Sequence, residues 1–246
     1  MLRSSGAAAR ELSLIPAAVK KNALLEAARR LKKESRAVLR ENQKDLRAAE
    51  TQGLTSAMME RLTLNERRIA EMSEGVEAVA RLEDPVGRVQ AQWKRPNGLR
   101  ISKVTVPLGV ILIIYESRPN VTVECASLCF KSGNSVILRG GKEAFHSNQF
   151  LVGLFQKVFR RSRLPAACAS FVSTTDRKAV DFLLQRDQDI QLVIPRGGED
   201  LIRKVARLSK IPVIKHYQGI CHIYVDREAD LKKAVAICYN AKMQRP

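Results

Sequence analysis

The 246 residues, 45% of them hydrophobic, have the composition of a globular protein and are enough to bury one large core or two small ones. The formal net charge of +18 favours a polyanionic ligand, but it does not choose between nucleic acid, anionic lipid, a phosphorylated metabolite and a dinucleotide. The longest nearly apolar stretch, 104–115, is interrupted by Pro107 and Gly109 and is shorter than the ~20 residues of a membrane helix, so we expect no membrane span.

The N-terminal region carries no clear targeting segment. Residues 1–10 are basic and lack the apolar centre of a secretory signal, and between an organellar transit peptide and an ordinary cytosolic start we favour the second. Five cysteines without a CxxC pair indicate neither a disulfide framework nor a zinc site. The expected location is therefore cytoplasmic.

The first third of the chain is predicted to be helical. Apolar residues recur every three or four positions over 17–50 and again over 60–82, which predicts two long amphipathic helices. The second helix is expected to end at Asp84, because proline disfavours helix in the residue before it. A β-hairpin follows over 87–106, since the dipeptide Asn97-Gly98 tolerates the positive φ angles of a hairpin turn.

From Val110 onward the pattern alternates between strand and helix. The run 110–115 is apolar throughout and rich in isoleucine, which suits a central strand buried on both faces. Further strands are predicted over 135–138, 170–172, 190–194, 213–215 and 221–225, and helices over 122–131, 144–161, 177–185, 199–209 and 230–241. This alternation predicts an α/β fold with a doubly wound parallel sheet. Ligands of such sheets bind at the carboxyl ends of the strands.

A glycine pair with two flanking cations follows the strand predicted over 135–138. Gly140 and Gly141 would let the backbone approach an anion, a helix starting near Ala144 would offer unpaired N–H groups, and Arg139 and Lys142 add positive charge. Basic residues at the tip of an early strand favour the extra phosphate of NADP over the diol of NAD. An ordinary glycine turn with solvated charges remains an alternative.

Two more loops qualify as candidate ligand sites. Arg196, Gly197 and Gly198 lie between a predicted strand and a predicted helix, so the same anion-binding chemistry applies. The segment 116–120 follows the most hydrophobic strand and places Arg118 where its guanidinium could pair with a phosphate or carboxylate. Neither of the two Gly-Gly loops, 139–142 and 196–198, matches GxGxxG or a Walker motif.

The cysteines and histidines provide no catalytic candidate. Cys125 and Cys129 lie four apart on one predicted helix, and Cys221 and Cys238 lie in strand and helix patterns, so buried inert thiols are favoured over nucleophiles. His216 and His222 flank Gln218-Gly219 without metal spacing, and a hydrogen-bonded structural role is favoured for each. The sequence shows no paired carboxylates and no Ser-His-Asp set, and we expect no bound metal ion.

Six segments, in order along the chain, resemble γ-glutamyl phosphate reductases, which are members of the aldehyde dehydrogenase superfamily. They are VPLGV (106–110), YESRPNVT (115–122), GNSVILRGGKE (133–143), IPRGG (194–198), GICHIYVD (219–226) and QRP (244–246). The intervening segments also fit, so the resemblance covers essentially the whole chain. It implies one NADP(H)-binding domain over 1–246, in which the hairpin 87–106 joins subunits of a homo-oligomer.

The resemblance also implies roles for the three loops. The cofactor-binding residues would be Glu116, Ser117, Arg118, Pro119, Arg139, Gly140, Gly141, Lys142, Arg196, Gly197 and Gly198, and the substrate-binding residues would be Arg118 and Asn120. Arg139 and Lys142 would lie near the adenosine ribose and its 2′-phosphate. The loop 196–198 would lie near the pyrophosphate, and 116–120 near the nicotinamide and substrate. His216 falls where related aldehyde dehydrogenases often carry a glutamate base.

The implied reaction is the NADPH-dependent reduction of L-glutamyl 5-phosphate to L-glutamate 5-semialdehyde and phosphate in proline biosynthesis, through a cysteine thioester. Glutamate 5-kinase would be a functional partner. In this family the catalytic cysteine follows Gln-Arg-Pro by a few positions, so we expect it beyond Pro246 and expect the chain alone to be inactive. Two alternatives stay open: a catalytically dead cofactor-binding paralogue, and a basic protein that binds polyanions or nucleic acid through charge alone. The low aromatic content, 5%, argues against specific nucleic-acid recognition.

Overall fold

The structure is a computed structural model that describes residues 1–215 and 221–243. The chain divides into two compact units, Met1–Lys215 and His216–Pro246. The helices are α1 (Leu2–Leu12), α2 (Ala17–Lys33), α3 (Ser35–Thr51), α4 (Ser56–Leu62), α5 (Glu66–Arg81), α6 (Pro119–Lys131), α7 (Phe145–Arg161), α8 (Lys178–Leu183) and α9 (Glu199–Leu208) in the first unit, and α10 (Leu231–Met243) in the second. The strands are β1 (Val89–Lys94), β2 (Arg100–Val104), β3 (Val110–Tyr115), β4 (Ser135–Arg139), β5 (Ala169–Phe171) and β6 (Leu192–Arg196).

The N-terminal third is helical, as predicted, but its helices are shorter and more numerous. The prediction of one helix over 17–50 is wrong, because the backbone leaves helical geometry at Glu34, between α2 and α3. The break lets α2 pack against α5 while α3 packs against α7. The segment 60–82 is likewise divided, and the Asn65 side chain accepts a hydrogen bond from the Arg68 N–H at the start of α5, 2.8 Å away.

Helix α1 was not predicted, because its first residues were interpreted only as a basic N-terminus. Ser5, Ala8 and Leu12 are nonetheless almost fully buried. The Ser5 hydroxyl lies 3.1 Å from that of Ser170 on strand β5, so α1 covers the edge of the sheet. Within the described residues, no helix is long and apolar enough to cross a membrane.

The larger sheet has four parallel strands in the order β5-β4-β3-β6. Side chains of the central strand β3 alternate between two cores: Ile111 and Ile113 belong to one, and Leu112 and Ile114 to the other. The first core is covered by α2, α5, α6 and α7, and the second by α8 and α9. The prediction of a doubly wound parallel sheet is confirmed.

Two predicted strands are absent. Over 213–215 only Val213 forms a parallel bridge, with Val193, and the chain does not continue as a ladder. Residues 221–225 form no strand, and none of them makes a strand-type backbone hydrogen bond with another described residue. Strand β6 is shifted relative to its prediction over 190–194 and ends at Arg196, so this arginine lies at the carboxyl edge of the sheet.

The predicted hairpin is confirmed as the antiparallel pair β1–β2, with a register irregularity between Val89 and Ala91. Gly98 has a φ of 86°, which is the conformation that the Asn97-Gly98 turn requires. The hairpin is exposed on both faces and carries apolar side chains at Val89 and Trp93 that are 59% and 45% exposed.

Candidate functional site

Three loops meet where β3, β4 and β6 end. In the strand register Arg139 pairs with Ile114, and Arg196 pairs with Tyr115, so the two arginines flank the last residues of the central strand. The Glu116 N–H donates to the Arg196 carbonyl at 3.2 Å. The sheet therefore brings together the three segments that the sequence singled out.

The loops after β3 and β6 are joined by a carboxylate. Glu116 Oε1 accepts a hydrogen bond from the Gly198 N–H at 2.7 Å. A Cβ atom at Gly197 would lie only 2.8 Å from the same oxygen, so a side chain at position 197 would displace the Glu116 carboxylate. The backbone N–H at the start of α9 thus already binds an anionic oxygen, here one of the protein's own.

The same edge carries a smaller polar cluster near the start of α6. Asn120 Nδ2 donates to Glu124 Oε1 at 2.9 Å, and the other Glu124 oxygen lies 3.7 Å from Arg196 Nη1. Arg118 precedes α6, is exposed, and has no carboxylate partner among the described residues, and Pro119 occupies the first turn of the helix, where no N–H is needed. Arg118 is therefore available to an anion from solution.

The loops after β3 and β4 are also in contact. The Ser117 hydroxyl donates to Glu143 Oε2. A Cβ atom at Gly141 would collide with the Ser117 hydroxyl and would lie 2.9 Å from Glu143 Oε2, so glycine is required here. Two of the four glycines in the candidate loops are therefore explained by loop-to-loop approach.

Arg139 is the most constrained of the candidate cations. Its Nη1 donates to the Gly140 carbonyl at 3.0 Å, and its Nη2 donates to the Thr175 carbonyl in the loop after β5 at 3.1 Å. Its Nε is buried without a hydrogen-bond partner. Burial lowers the pKa of the guanidinium, the nearby Glu143 carboxylate opposes that shift, and the positive charge of Arg177 adds to it. Lys142 forms no ion pair or side-chain hydrogen bond with a described residue.

The prediction of unpaired N–H groups at the helix near Ala144 is wrong. Asp45 on α3 accepts hydrogen bonds from the His146 N–H at 3.0 Å and the Ser147 N–H at 2.8 Å, and so caps α7. Burial raises the pKa of Asp45, although the hydrogen bonds from Ser147 and His146 act in the opposite direction. Anion binding by this loop would depend on side-chain cations rather than on the N-terminus of α7.

A buried polar chain lies beneath Gly140 and was missed from the sequence. The Tyr115 hydroxyl lies 2.7 Å from Thr122 Oγ1, and Thr122 Oγ1 donates to Asn148 Oδ1 at 2.7 Å. Asn148 Nδ2 is buried without a partner and points at the space that a Cβ of Gly140 would fill. The available signal was the presence of polar residues on the buried stripes of α6 and α7.

The histidine predictions are only partly covered by the structure. His216 lies outside the described residues, and His222 belongs to the second unit. His146 contributes its backbone N–H to the Asp45 cap. The described contacts give His146 no role as a base.

The buried cysteines are unsuited to nucleophilic chemistry. Burial raises the pKa of Cys125 to about 11, despite the positive charge of Arg196, and raises that of Cys168 to about 12. Burial also raises the pKa of Cys129, and the neighbouring Cys125 adds to the shift. At neutral pH all three are thiols.

We expect Cys125, Cys129 and Cys168 to resist alkylation at pH 8 in the folded chain, because the thiolate is the reactive form and access is blocked. Peptide mass spectrometry after iodoacetamide treatment, with and without denaturant, measures this. Labelling of all three should appear only in denaturant. Rapid labelling of Cys125 in the native chain would instead indicate a reactive thiol at the sheet edge.

Comparison with known proteins adds the family context. The sequence profile of the aldehyde dehydrogenase family matches residues 2–245. The gamma-glutamyl phosphate reductase of Sulfurihydrogenibium sp. (strain YO3AOP1) is 51% identical over 237 residues, which are 96% of this chain and 53% of that protein. The chain therefore spans about half the length of that curated relative.

Solved structures with the same fold include two proteins of that name. The crystal structure of gamma-glutamyl phosphate reductase from Thermotoga maritima has a TM-score of 0.93 and 41% identity, and the match covers 100% of this chain and 59% of that one. The corresponding structure from Saccharomyces cerevisiae has a TM-score of 0.80 and 34% identity, with 99% and 62% covered.

Proposed function

The chain belongs to the aldehyde dehydrogenase family, and from this premise we propose that it is the NADP(H)-binding part of a γ-glutamyl phosphate reductase. Membership of the family implies a nicotinamide dinucleotide as cofactor. The observation that carries the proposal is the convergence of three loops, rich in glycine and cations, at the carboxyl edge of a doubly wound sheet. The name of the relatives supports the choice of reaction. The share of their length that this chain covers supports its assignment as one part of such an enzyme.

The residues at the sheet edge fit a dinucleotide. Gly141 and Gly197 let the three loops approach one another closely, so their backbones lie together at the carboxyl edge of the sheet. Lys142 and Arg118 are exposed and have no carboxylate partners among the described residues. Such unpaired positive charge favours a ligand with several phosphates.

We assign the roles by loop. The loop from Arg139 to Lys142 would lie near the adenosine ribose and its 2′-phosphate, and the loop from Arg196 to Gly198 would lie near the pyrophosphate. Residues 116–119 would lie beside the nicotinamide, while Arg118 and Asn120 would bind the phosphate and carboxylate of L-glutamyl 5-phosphate. Glu116 must release the Gly198 N–H if a pyrophosphate oxygen is to accept from it.

The proposed reaction reduces L-glutamyl 5-phosphate to L-glutamate 5-semialdehyde. A cysteine thiolate would attack the acyl phosphate, expel phosphate and leave a thioester. The nicotinamide, when bound, supplies the hydride that reduces this thioester to the aldehyde level. Cys125, Cys129 and Cys168 are buried thiols, whereas Cys221 is exposed. It is the resemblance to the family that places the nucleophile in the catalytic segment after Gln-Arg-Pro, and we propose on that ground that the 246-residue chain alone is inactive.

Three further features belong to the proposal. The exposed apolar hairpin, 87–106, would join subunits of a homo-oligomer. Glutamate 5-kinase, which makes an acyl phosphate, would be the functional partner because such phosphates hydrolyse readily. The cytoplasm would be the location.

The test compares this chain with the same chain extended by the remaining C-terminal residues of the Sulfurihydrogenibium relative. We expect both to bind NADPH, measured by its fluorescence, and to prefer it to NADH by about tenfold, which corresponds to ~1.4 kcal/mol. Phosphate-dependent reduction of NADP⁺ with glutamate 5-semialdehyde should appear in the extended form only. If neither form binds NADPH, the proposal is wrong, and charge-driven binding to polyanions, which weakens steeply with salt, becomes the leading function.

A further inference from the structure

The sequence directed attention to Arg139 and Lys142 as the cations at the tip of β4. The structure adds the loop after β5 to this region. Arg139 Nη2 donates to the carbonyl of Thr175, 36 residues along the chain, and this hydrogen bond holds the two loops side by side. Arg177 lies two residues beyond that carbonyl and is exposed.

The contacts of Arg139 leave little of its guanidinium for a ligand. Both terminal nitrogens donate to backbone carbonyls, one in its own loop and one in the loop after β5. The side chain is half-buried and its Nε lies inside the protein without a partner. Arg139 therefore joins the two loops, and an anion at this edge needs a more exposed cation.

Arg177 is such a cation. Among the described residues it has no carboxylate within ion-pair distance and makes no side-chain hydrogen bond. One oxygen of the neighbouring Asp176 carboxylate accepts from the Lys178 N–H at 2.9 Å. The charge of Arg177 reaches the Arg139 guanidinium and adds to the lowering of its pKa, which agrees with their proximity. The Glu143 carboxylate, which opposes the lowering of the Arg139 pKa, accepts a hydrogen bond from the Ser117 hydroxyl.

We propose that Arg177 is a specificity-determining residue that, together with Lys142, binds the 2′-phosphate of NADP(H), while Arg139 positions both loops. This assignment rests on the proposed function. It adds a cofactor-binding residue from a loop that the sequence did not single out. Two unpaired cations on adjacent loops complement the charge of the 2′-phosphate, which is a dianionic phosphate monoester. The ribose diol of NAD(H) carries no charge for them to bind.

The experiment measures the dissociation constants of NADPH and NADH for the 246-residue chain by cofactor fluorescence. Arg177→Ala should weaken NADPH binding by about tenfold and leave NADH binding unchanged, because only NADPH carries the extra phosphate. Lys178→Ala removes one positive charge from the next residue, which is also exposed, and should change neither constant. Arg139→Ala should weaken both cofactors, because it releases both loops.

The outcomes separate this assignment from the proposed function. If the unaltered chain binds NADPH but Arg177→Ala affects it no more than Lys178→Ala, the role of Arg177 is refuted and the proposed function stands. Equal weakening of NADPH and NADH by Arg177→Ala would also refute it, since that pattern indicates a structural role. If the unaltered chain binds neither cofactor, both are refuted. Circular dichroism of each variant verifies the fold.

Discussion

Replacing Asp84 with alanine is expected to lower the free energy of unfolding by about 3–5 kcal/mol, because it leaves a buried ammonium without its counter-charge. Lys20 on α2 is 1% exposed, and its Nζ lies 2.6 Å from Asp84 Oδ2. The other carboxylate oxygen accepts from the Val86 N–H at 3.0 Å, directly before the hairpin. Lys131 Nζ, nearby, donates to the Ala80 carbonyl at the end of α5. The variant therefore loosens α2, α5, α6 and the base of the hairpin together.

Urea denaturation of the chain and of two variants measures this effect. Glu83→Ala provides the matched control, because Glu83 is adjacent in sequence but 85% exposed in its pair with Arg88, and its loss should change the free energy by less than about 0.5 kcal/mol. Similar values for Asp84→Ala and Glu83→Ala would mean that water reaches Lys20 and that the pair is not buried.

The Asp84 interaction also predicts a pH dependence. Burial tends to raise the pKa of Asp84, but the hydrogen bonds from Lys20 and the Val86 N–H and the charges of Lys20 and Lys131 outweigh it, so the pKa is lowered. A lowered folded-state pKa gives stability that is complete above about pH 4 and is lost as the pH falls through the folded-state value. Asp84→Asn should flatten the stability curve in this acidic range. Asp45, whose pKa is raised, acts in the opposite direction, since its contribution decreases as the pH rises from about 4.

Gly140→Ala is expected to destabilise the chain by about 1–3 kcal/mol, because the new methyl group overpacks a site that cannot relax. A Cβ atom there would collide with Asn148 Nδ2 and would lie 3.1 Å from two atoms of the Tyr115 ring. Both side chains are buried and connected through Thr122. Thermal unfolding measures the loss of stability, and NADPH titration should show weaker binding because the loop is displaced.

Two further variants make the Gly140 prediction specific. Gly153→Ala, at a position in α7 with no atom within 4 Å of the added carbon, should stabilise the chain by about 0.5–1 kcal/mol through its higher helix propensity. Combining Gly140→Ala with Asn148→Ala should cost less than the sum of the single changes, because the colliding amide is absent. Strict additivity would show that Asn148 does not set the position of the loop.

Much of the architecture could be predicted from local patterns. The isoleucine-rich run of β3 indicated a strand buried on both faces, and the Asn97-Gly98 turn indicated the hairpin. Because parallel strands end at a common edge, the alternation of strand and helix also placed Arg139, Arg196 and the segment 116–120 together before any contact was known. The two strands predicted over 213–215 and 221–225 failed because a β pattern needs a partner strand to become a ladder.

The tertiary structure decided how the site is held and which of its groups remain free. Asp45 caps a helix that begins about 100 residues later. Arg139 donates to a carbonyl in the loop after β5, and Lys20 forms an ion pair with Asp84. Sequence periodicity reports which face of an element is apolar, because that depends on neighbours three or four residues away. The partner of a buried polar group depends instead on which distant segment packs against it, and a single sequence does not encode that choice locally.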